Sequence, residues 1–204
     1  MNTDAFTTAE AVHGIEAVVE MARRTLRDRI AVNSCIAYCR VILELLRFTG
    51  IEAKPYACKL IVTDHTLNKA YAVGCTDEEM STAQEIIPVK GTGAGWRGHL
   101  ILIAEGDILI DPTFEAASRA LYGEDEDDPA GYMVIALPET PGQFFDATIC
   151  GKLDNGAEIE IRYIGTGDET WLESEAWNDE ALPVFANALN TAVTELAHAM
   201  RATQ

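Results

Sequence analysis

The chain contains no run of eighteen apolar residues, so no segment is expected to cross a membrane as a helix. Its N-terminus, MNTDAFTTAEAVHG, lacks a basic stretch leading into an apolar one, so no secretory signal is expected. Bases are scarce: 15 Lys and Arg stand against 33 Asp and Glu, a formal net charge of -18 in 204 residues. That balance opposes binding to nucleic acid or to anionic membrane surfaces, since both present phosphate. Cysteine is sparse and odd in number. Cys35, Cys39, Cys58, Cys75 and Cys150 follow no regular spacing, which argues for reduced thiols in a cytoplasmic protein and against a disulfide framework. CxxC and HxxxH spacings are also missing, so Cys35, Cys39, His65 and Cys75 do not read as a zinc site, and no cofactor is expected. GTGAG (residues 91–95) has no strand leading into it and no Lys-Ser or Lys-Thr after it. It reads as a loop and not as a phosphate cradle. No repeat and no linker divides the chain, so residues 1–204 read as one domain.

What is present is a succession of strongly patterned segments. TTAEAVHGIEAVVEMARRTLRDRI carries apolar residues at helical spacing, with Thr7 or Thr8 as cap. Arg23, Arg24, Arg27 and Arg29 sit at its end, a solvated or ion-paired face that suits the helix dipole. VNSCIAYCRVILELLRFTG predicts a second helix, with Cys35, Cys39, Ile42, Leu43 and Leu46 on one face and Gly50 as its stop. EAKPYACKLIV reads as a strand, residues 64–98 as a mixed, loop-like segment, and HLILIAEGDILID as two apolar strands around a turn. The run YGEDEDDPAG reads as a solvated acidic loop, AEIEIRYIG as a half-exposed strand, and PVFANALNTAVTELAHAMR as a closing helix. Helices, then strands, then a helix, without β-α-β alternation, predict an α+β fold with a mainly antiparallel sheet.

Two places in this pattern carry chemistry. With Ser34 as N-cap, Cys35 is the first helical residue, where the dipole and free backbone N–H groups favour thiolate over thiol. Cys39, one turn on, reads as a small core residue. A catalytic thiolate needs a histidine, and the histidine needs an orienting group. His13 and His198 fall in terminal helices and His65 in a polar loop; His99 opens the apolar hairpin. If AEG is a three-residue loop with Gly106 in the left-handed position, Ile103 faces Asp107 and His99 faces Asp111. Opposed side chains share a face, with Cβ atoms roughly 4.5–5.5 Å apart, within reach of an imidazole–carboxylate bond. The flanks are apolar on both faces, so the hairpin is expected to be covered on both sides. The plainer alternative is that His99 and Asp111 only terminate strands at the edge of the sheet.

Taken together, NSCIAYCRVILELLRFTGIEAKPY and GHLILIAEGDILIDPTF resemble the transglutaminase-like superfamily within the papain-like cysteine enzymes. The resemblance covers roughly residues 31 to 62 and 96 to 114. It implies a papain-like core, with Cys35 as nucleophile, His99 as base and Asp111 as orienter. The triad would act on a peptide, a protein or a small amide through an acyl-enzyme, with water or an amine as acceptor. The backbone N–H of Cys35, with the Asn33 side chain, would hold the oxyanion. Residues 100–102 depart from the family in lacking the aromatic that often follows the histidine. Trp96, close to His99, is expected to contact substrate and the segment before it to border the mouth; Trp171 and Trp177 read equally well as structural. A relative of the same fold without catalysis would serve instead as a binding module.

Overall fold

Ser34 occupies the N-cap position of helix α2 (Cys35–Thr49), as its hydroxyl-bearing side chain and the apolar run behind it suggest, although the hydroxyl makes no capping bond. Gly50 ends the helix with φ of 81°, a left-handed turn that suits a residue without Cβ. Its N–H donates to Arg47 O at 3.2 Å, and that of Ile51 donates to Leu46 O at 3.1 Å. Helix α1 (Thr8–Leu26) packs its buried stripe of Ile15, Val19, Ala22 and Leu26 into the same core. The computed structural model describes residues 8–27, 34–75, 86–88, 96, 98–122, 131–152 and 156–202. Thr7, Arg29, Asn33, the glycine-rich residues 91–95 and the acidic run 123–130 lie outside the described residues.

The strands are β1 (Ala53–Asp64), β2 (Lys69–Val73), β3 (Ile86–Pro88), β4 (His99–Ala104), β5 (Ile108–Asp111), β6 (Met133–Ala136), β7 (Asp146–Lys152) and β8 (Glu158–Gly165). Among the described residues they form one curled sheet in which every pairing but one is antiparallel; β2 and β3 run parallel. Helix α3 (Glu115–Tyr122) follows β5, and a 3-10 turn (Thr170–Glu173) with the short α4 (Glu175–Asn178) leads into α5 (Ala181–Ala202). The expected α+β class is therefore present, with two N-terminal helices on a mainly antiparallel sheet and a helix closing the described chain.

Long β1 organises the sheet. Residues 53–58 pair with β4, residues 60–64 with β2, and residues 58–64 with β8. β2 ends where β4 begins, so closely that a Cβ on Gly74 would lie 3.3 Å from Gly98 Cα. The segment 64–98, expected to be loop-like, thus holds two strands. Lys69–Val73 has little strand signature of its own; its pairing partner supplies the order.

β4 and β5 are buried along their whole length, as their two-sided apolar pattern predicts. Ala57, Leu100, Leu102, Ala104, Ile108 and Ile110 join the helix-side core with α1 and α2. Cys58, Leu60, Ile101, Ile103, Leu109 and Tyr163 form a second core with Ala117 and Leu121 of α3. The hairpin register differs from the expected one. Ala104 pairs with Ile108 and Leu102 with Ile110, so the loop is Glu105–Gly106–Asp107 and not Ala104–Glu105–Gly106. Glu105 and Gly106 both have positive φ, 50° and 90°, which produces a primed-type turn in place of a type I turn with a glycine bulge. Glu105 tolerates this conformation because Glu52 holds it twice: Glu105 N–H donates to Glu52 O at 2.8 Å, and Glu52 N–H donates to Glu105 Oε1 at 2.9 Å. The shift is two residues. Parity is therefore kept, and His99 and Asp111 remain on one face as diagonal neighbours and not as a direct pair.

Candidate active site

His99 is the first residue of β4 and stands opposite Cys58 of β1. Asp111 is the last residue of β5. Diagonal neighbours in a sheet are about 7–8 Å apart at the backbone, within reach of long or aromatic side chains. Here the imidazole spans the gap, and His99 Nε2 lies 2.8 Å from Asp111 Oδ2. Both groups are buried, at 4 % and 0 % exposure.

The carboxylate is held on both oxygens. Thr113 donates its N–H to Asp111 Oδ1 at 3.0 Å and its hydroxyl to the same oxygen at 3.4 Å, a turn in which the side chain of an Asp binds backbone two residues on. Tyr163 of β8 donates its hydroxyl to Oδ2 at 2.9 Å. Thr113 and Tyr163 were not singled out in the sequence, yet each left a signal. Thr113 completes an Asp-Pro-Thr turn. In AEIEIRYIG the residues Ile159, Ile161 and Tyr163 fall on the buried face, and a buried tyrosine hydroxyl needs a polar partner.

Cys35 reaches the site from the helix side. Cys39, fully buried one turn along α2, donates its thiol to Leu100 O at 3.3 Å and so fastens the helix to β4. Cys35 lies close enough to the imidazole to raise its proton affinity by hydrogen bonding and charge. Cys35 is 9 % exposed.

The electrostatics favour a charged imidazole. Burial alone would lower the His99 pKa, but the Asp111 charge and hydrogen bond, with the hydrogen bond and charge of Cys35, raise it to about 10. Burial alone would raise the Asp111 pKa; the imidazolium, Thr113 and Tyr163 outweigh it and hold the carboxyl below its ordinary value. Cys39 and Cys58 are pushed well above the ordinary cysteine range, chiefly by burial and further by the Asp111 charge.

Trp96 is half-buried, three residues before His99 in the chain. Its ring lies on Gly98, so closely that any side chain at residue 98 would meet it. Its indole N–H donates to Asp168 Oδ2 at 2.7 Å, and Asp168 Oδ1 accepts from the Thr170 N–H and hydroxyl. The other two tryptophans serve the packing. Trp171 is buried and meets Trp177 edge-on at 4.5 Å between centroids, while the Arg40 guanidinium of α2 lies 4.9 Å over the Trp177 ring. His65 and His13 lie elsewhere, beside Glu160 and Glu16. At the end of α1, Arg23 is ion-paired with Glu115 of α3. Among the described residues, no three His, Cys, Asp or Glu side chains group as ligands for a metal ion, and no helix is long and apolar enough to cross a membrane.

Cys35, His99 and Asp111 are thus brought together in the order thiol, imidazole, carboxylate; Trp96 packs on Gly98, the residue before His99, and Asn33 lies outside the described residues. Comparison of the chain with protein-family models, with curated proteins and with solved structures finds no match in any of the three.

Proposed function

We propose that this chain is a cysteine-dependent amide hydrolase or acyltransferase of the transglutaminase-like type, with a papain-like core, acting in the cytoplasm. One observation carries the reading: a buried imidazole bonded to a buried carboxylate, with a helix-start cysteine close enough to raise its proton affinity. A structural histidine needs one partner; one placed between a thiol and an ionised carboxylate has the arrangement that activates a nucleophile.

In this reading His99 is an imidazolium beside a Cys35 thiolate. The sulfur attacks the carbonyl carbon of an amide, and the C=O π pair moves onto oxygen. The oxyanion meets the backbone N–H groups at the start of α2. Tyr38 N–H is the first in the helix to bond back, to Ser34 O at 3.1 Å, so those of Cys35 to Ala37 have no acceptor within the helix. The C–N bond then breaks, and the leaving amine takes the proton of His99, leaving a thioester. Water or an amine attacks the thioester carbonyl while neutral His99 accepts its proton. Loss of the thiolate restores the starting pair. Asp111 holds the ring in place and favours its charged form throughout.

The low exposure of Cys35 favours one other reading, a non-catalytic module of the same fold in which the three residues are structural. Alkylation separates the two. An enzyme should lose Cys35 to iodoacetamide at neutral pH before exposed Cys150 reacts. Uptake at Cys150 with Cys35 protected would support the module.

A further inference from the structure

We propose that Tyr163 is a positioning residue for this site, its phenol fixing the Asp111 carboxylate against His99. The inference rests on the reading of Cys35, His99 and Asp111 as a catalytic group, and it names what keeps that group aligned. Tyr163 lies on β8, which follows the hairpin by a long stretch of chain and pairs with β1: Leu60 stands opposite Tyr163, and two residues away on the same strand Cys58 stands opposite His99. That register puts Cys58, Leu60, His99 and Tyr163 on one face. The phenol and imidazole rings are 6.4 Å apart with their planes 30° from parallel.

The Tyr163 hydroxyl has two acceptors in reach and one proton to give. Asp111 Oδ2 is at 2.9 Å and Met133 Sδ at 3.7 Å. The ionised oxygen is nearer and the stronger acceptor, so the proton lies towards Asp111 and the thioether only packs. Oδ2 then carries two donors, the phenol and the imidazole, while Oδ1 is held by Thr113. Thr113 on Oδ1 and His99 on Oδ2 already oppose rotation about the Cβ–Cγ bond, and the phenol adds a further buried bond to the charged acceptor that rotation would break. A diagonal pairing tolerates little error at its far end, and the phenol supplies the third fixed point. Tyr163 is fully buried, and a phenylalanine would fill the same space equally well; the hydroxyl is what packing does not require.

The acid range isolates this contact. Among the described residues, the other titratable groups that reach Asp111 are Cys39 of α2, Cys58 of β1 and Tyr71 of β2, all held neutral there by raised pKa values, and His99, which stays protonated. The experiment compares the full-length wild type, Tyr163→Phe, Asp111→Asn and the double variant. It measures the iodoacetamide alkylation rate of Cys35 and, by carbon NMR, the Asp111 carboxyl titration. Tyr163→Phe should raise the carboxyl midpoint by about one pH unit and slow alkylation about tenfold, the effect of one hydrogen bond to a charged group. In the Asp111→Asn background it should slow alkylation no further, since the phenol acts through that carboxylate. An unmoved carboxyl midpoint, or an equal loss of rate in both backgrounds, would overturn the proposal. If wild-type Cys35 alkylates no faster than a free cysteine, the enzymatic reading fails instead, and the carboxyl midpoint still decides the role of Tyr163.

Discussion

His99 and Asp111 meet across a diagonal of the hairpin: Leu102 pairs with Ile110, which sets Asp111 opposite Ile101, yet Nε2 and Oδ2 are 2.8 Å apart. The contact is reached by side-chain length, so it depends on the carboxylate being where it is and charged.

Asp111→Asn keeps the size and removes the charge. His99, fully buried and without its counter-charge, should lose most of its raised proton affinity, because the burial that lowers it remains. Turnover of an amide or thioester substrate should fall by roughly 10²–10⁴-fold, the range for a misplaced acid–base group. Steady-state kinetics on the folded variant checks this, and retention of wild-type turnover would remove Asp111 from the site.

The two cysteines of α2 should separate cleanly. Cys35→Ala should abolish labelling at that site and turnover while the fold persists. Cys39→Ala loses a buried sulfur and its bond to Leu100 O, and should cost about 1–2 kcal/mol of stability with labelling intact. Mass spectrometry of the alkylated protein, with denaturant melts, reads both. Labelling at Cys39 in the wild type would reverse the assignment.

Trp96→Ala tests whether the indole packed on Gly98 contacts substrate. The indole is half-exposed and bonded to Asp168, so its loss should cost less than the roughly 3–5 kcal/mol of a fully buried aromatic truncation. KM should rise, or kcat/KM fall, by a larger factor than stability accounts for. A large drop in Tm with unchanged kinetics on the surviving folded protein would make Trp96 a packing residue only.

The ion pair also predicts how stability follows pH. His99 is raised from its ordinary 6.5 to about 10, so its contribution is complete below about 6.5 and disappears as pH rises through about 10. Asp111 is lowered, so its contribution is present above its ordinary 3.8 and disappears as pH falls through its folded value. The wild-type advantage over Asp111→Asn should therefore be greatest between about pH 4 and 6.5 and shrink on either side. Urea unfolding at a series of pH values measures it. An advantage that grows from pH 7 to 10 would contradict the assigned charges.

Much of this arrangement was legible in the sequence because it rests on local signals. Ser34 and Gly50 bound α2, the two-sided apolar runs 100–103 and 108–110 mark a covered hairpin, and the alternation of β8 gives its buried face. The shared face of His99 and Asp111 was legible for a subtler reason: a register error of two residues preserves parity. The register itself was not, since Glu105 at positive φ depends on Glu52, a contact far away in the chain. Strands β2 and β3 were missed because their order comes from β1 and from each other. Tyr163 showed its buried position but not its partner, which a separation of 52 positions in the chain conceals.

That separation sets an order of events during synthesis. Chains lengthen at about 5–20 residues per second, so Asp111 leaves the ribosome roughly 3–10 seconds before Tyr163. For that interval β1 has no β8 along residues 58–64, and the Asp111 carboxylate has no phenol. The arrival of one late strand covers an open sheet edge and completes the carboxylate's bonding together, so a growing chain that already carries Cys35, His99 and Asp111 still lacks the finished group.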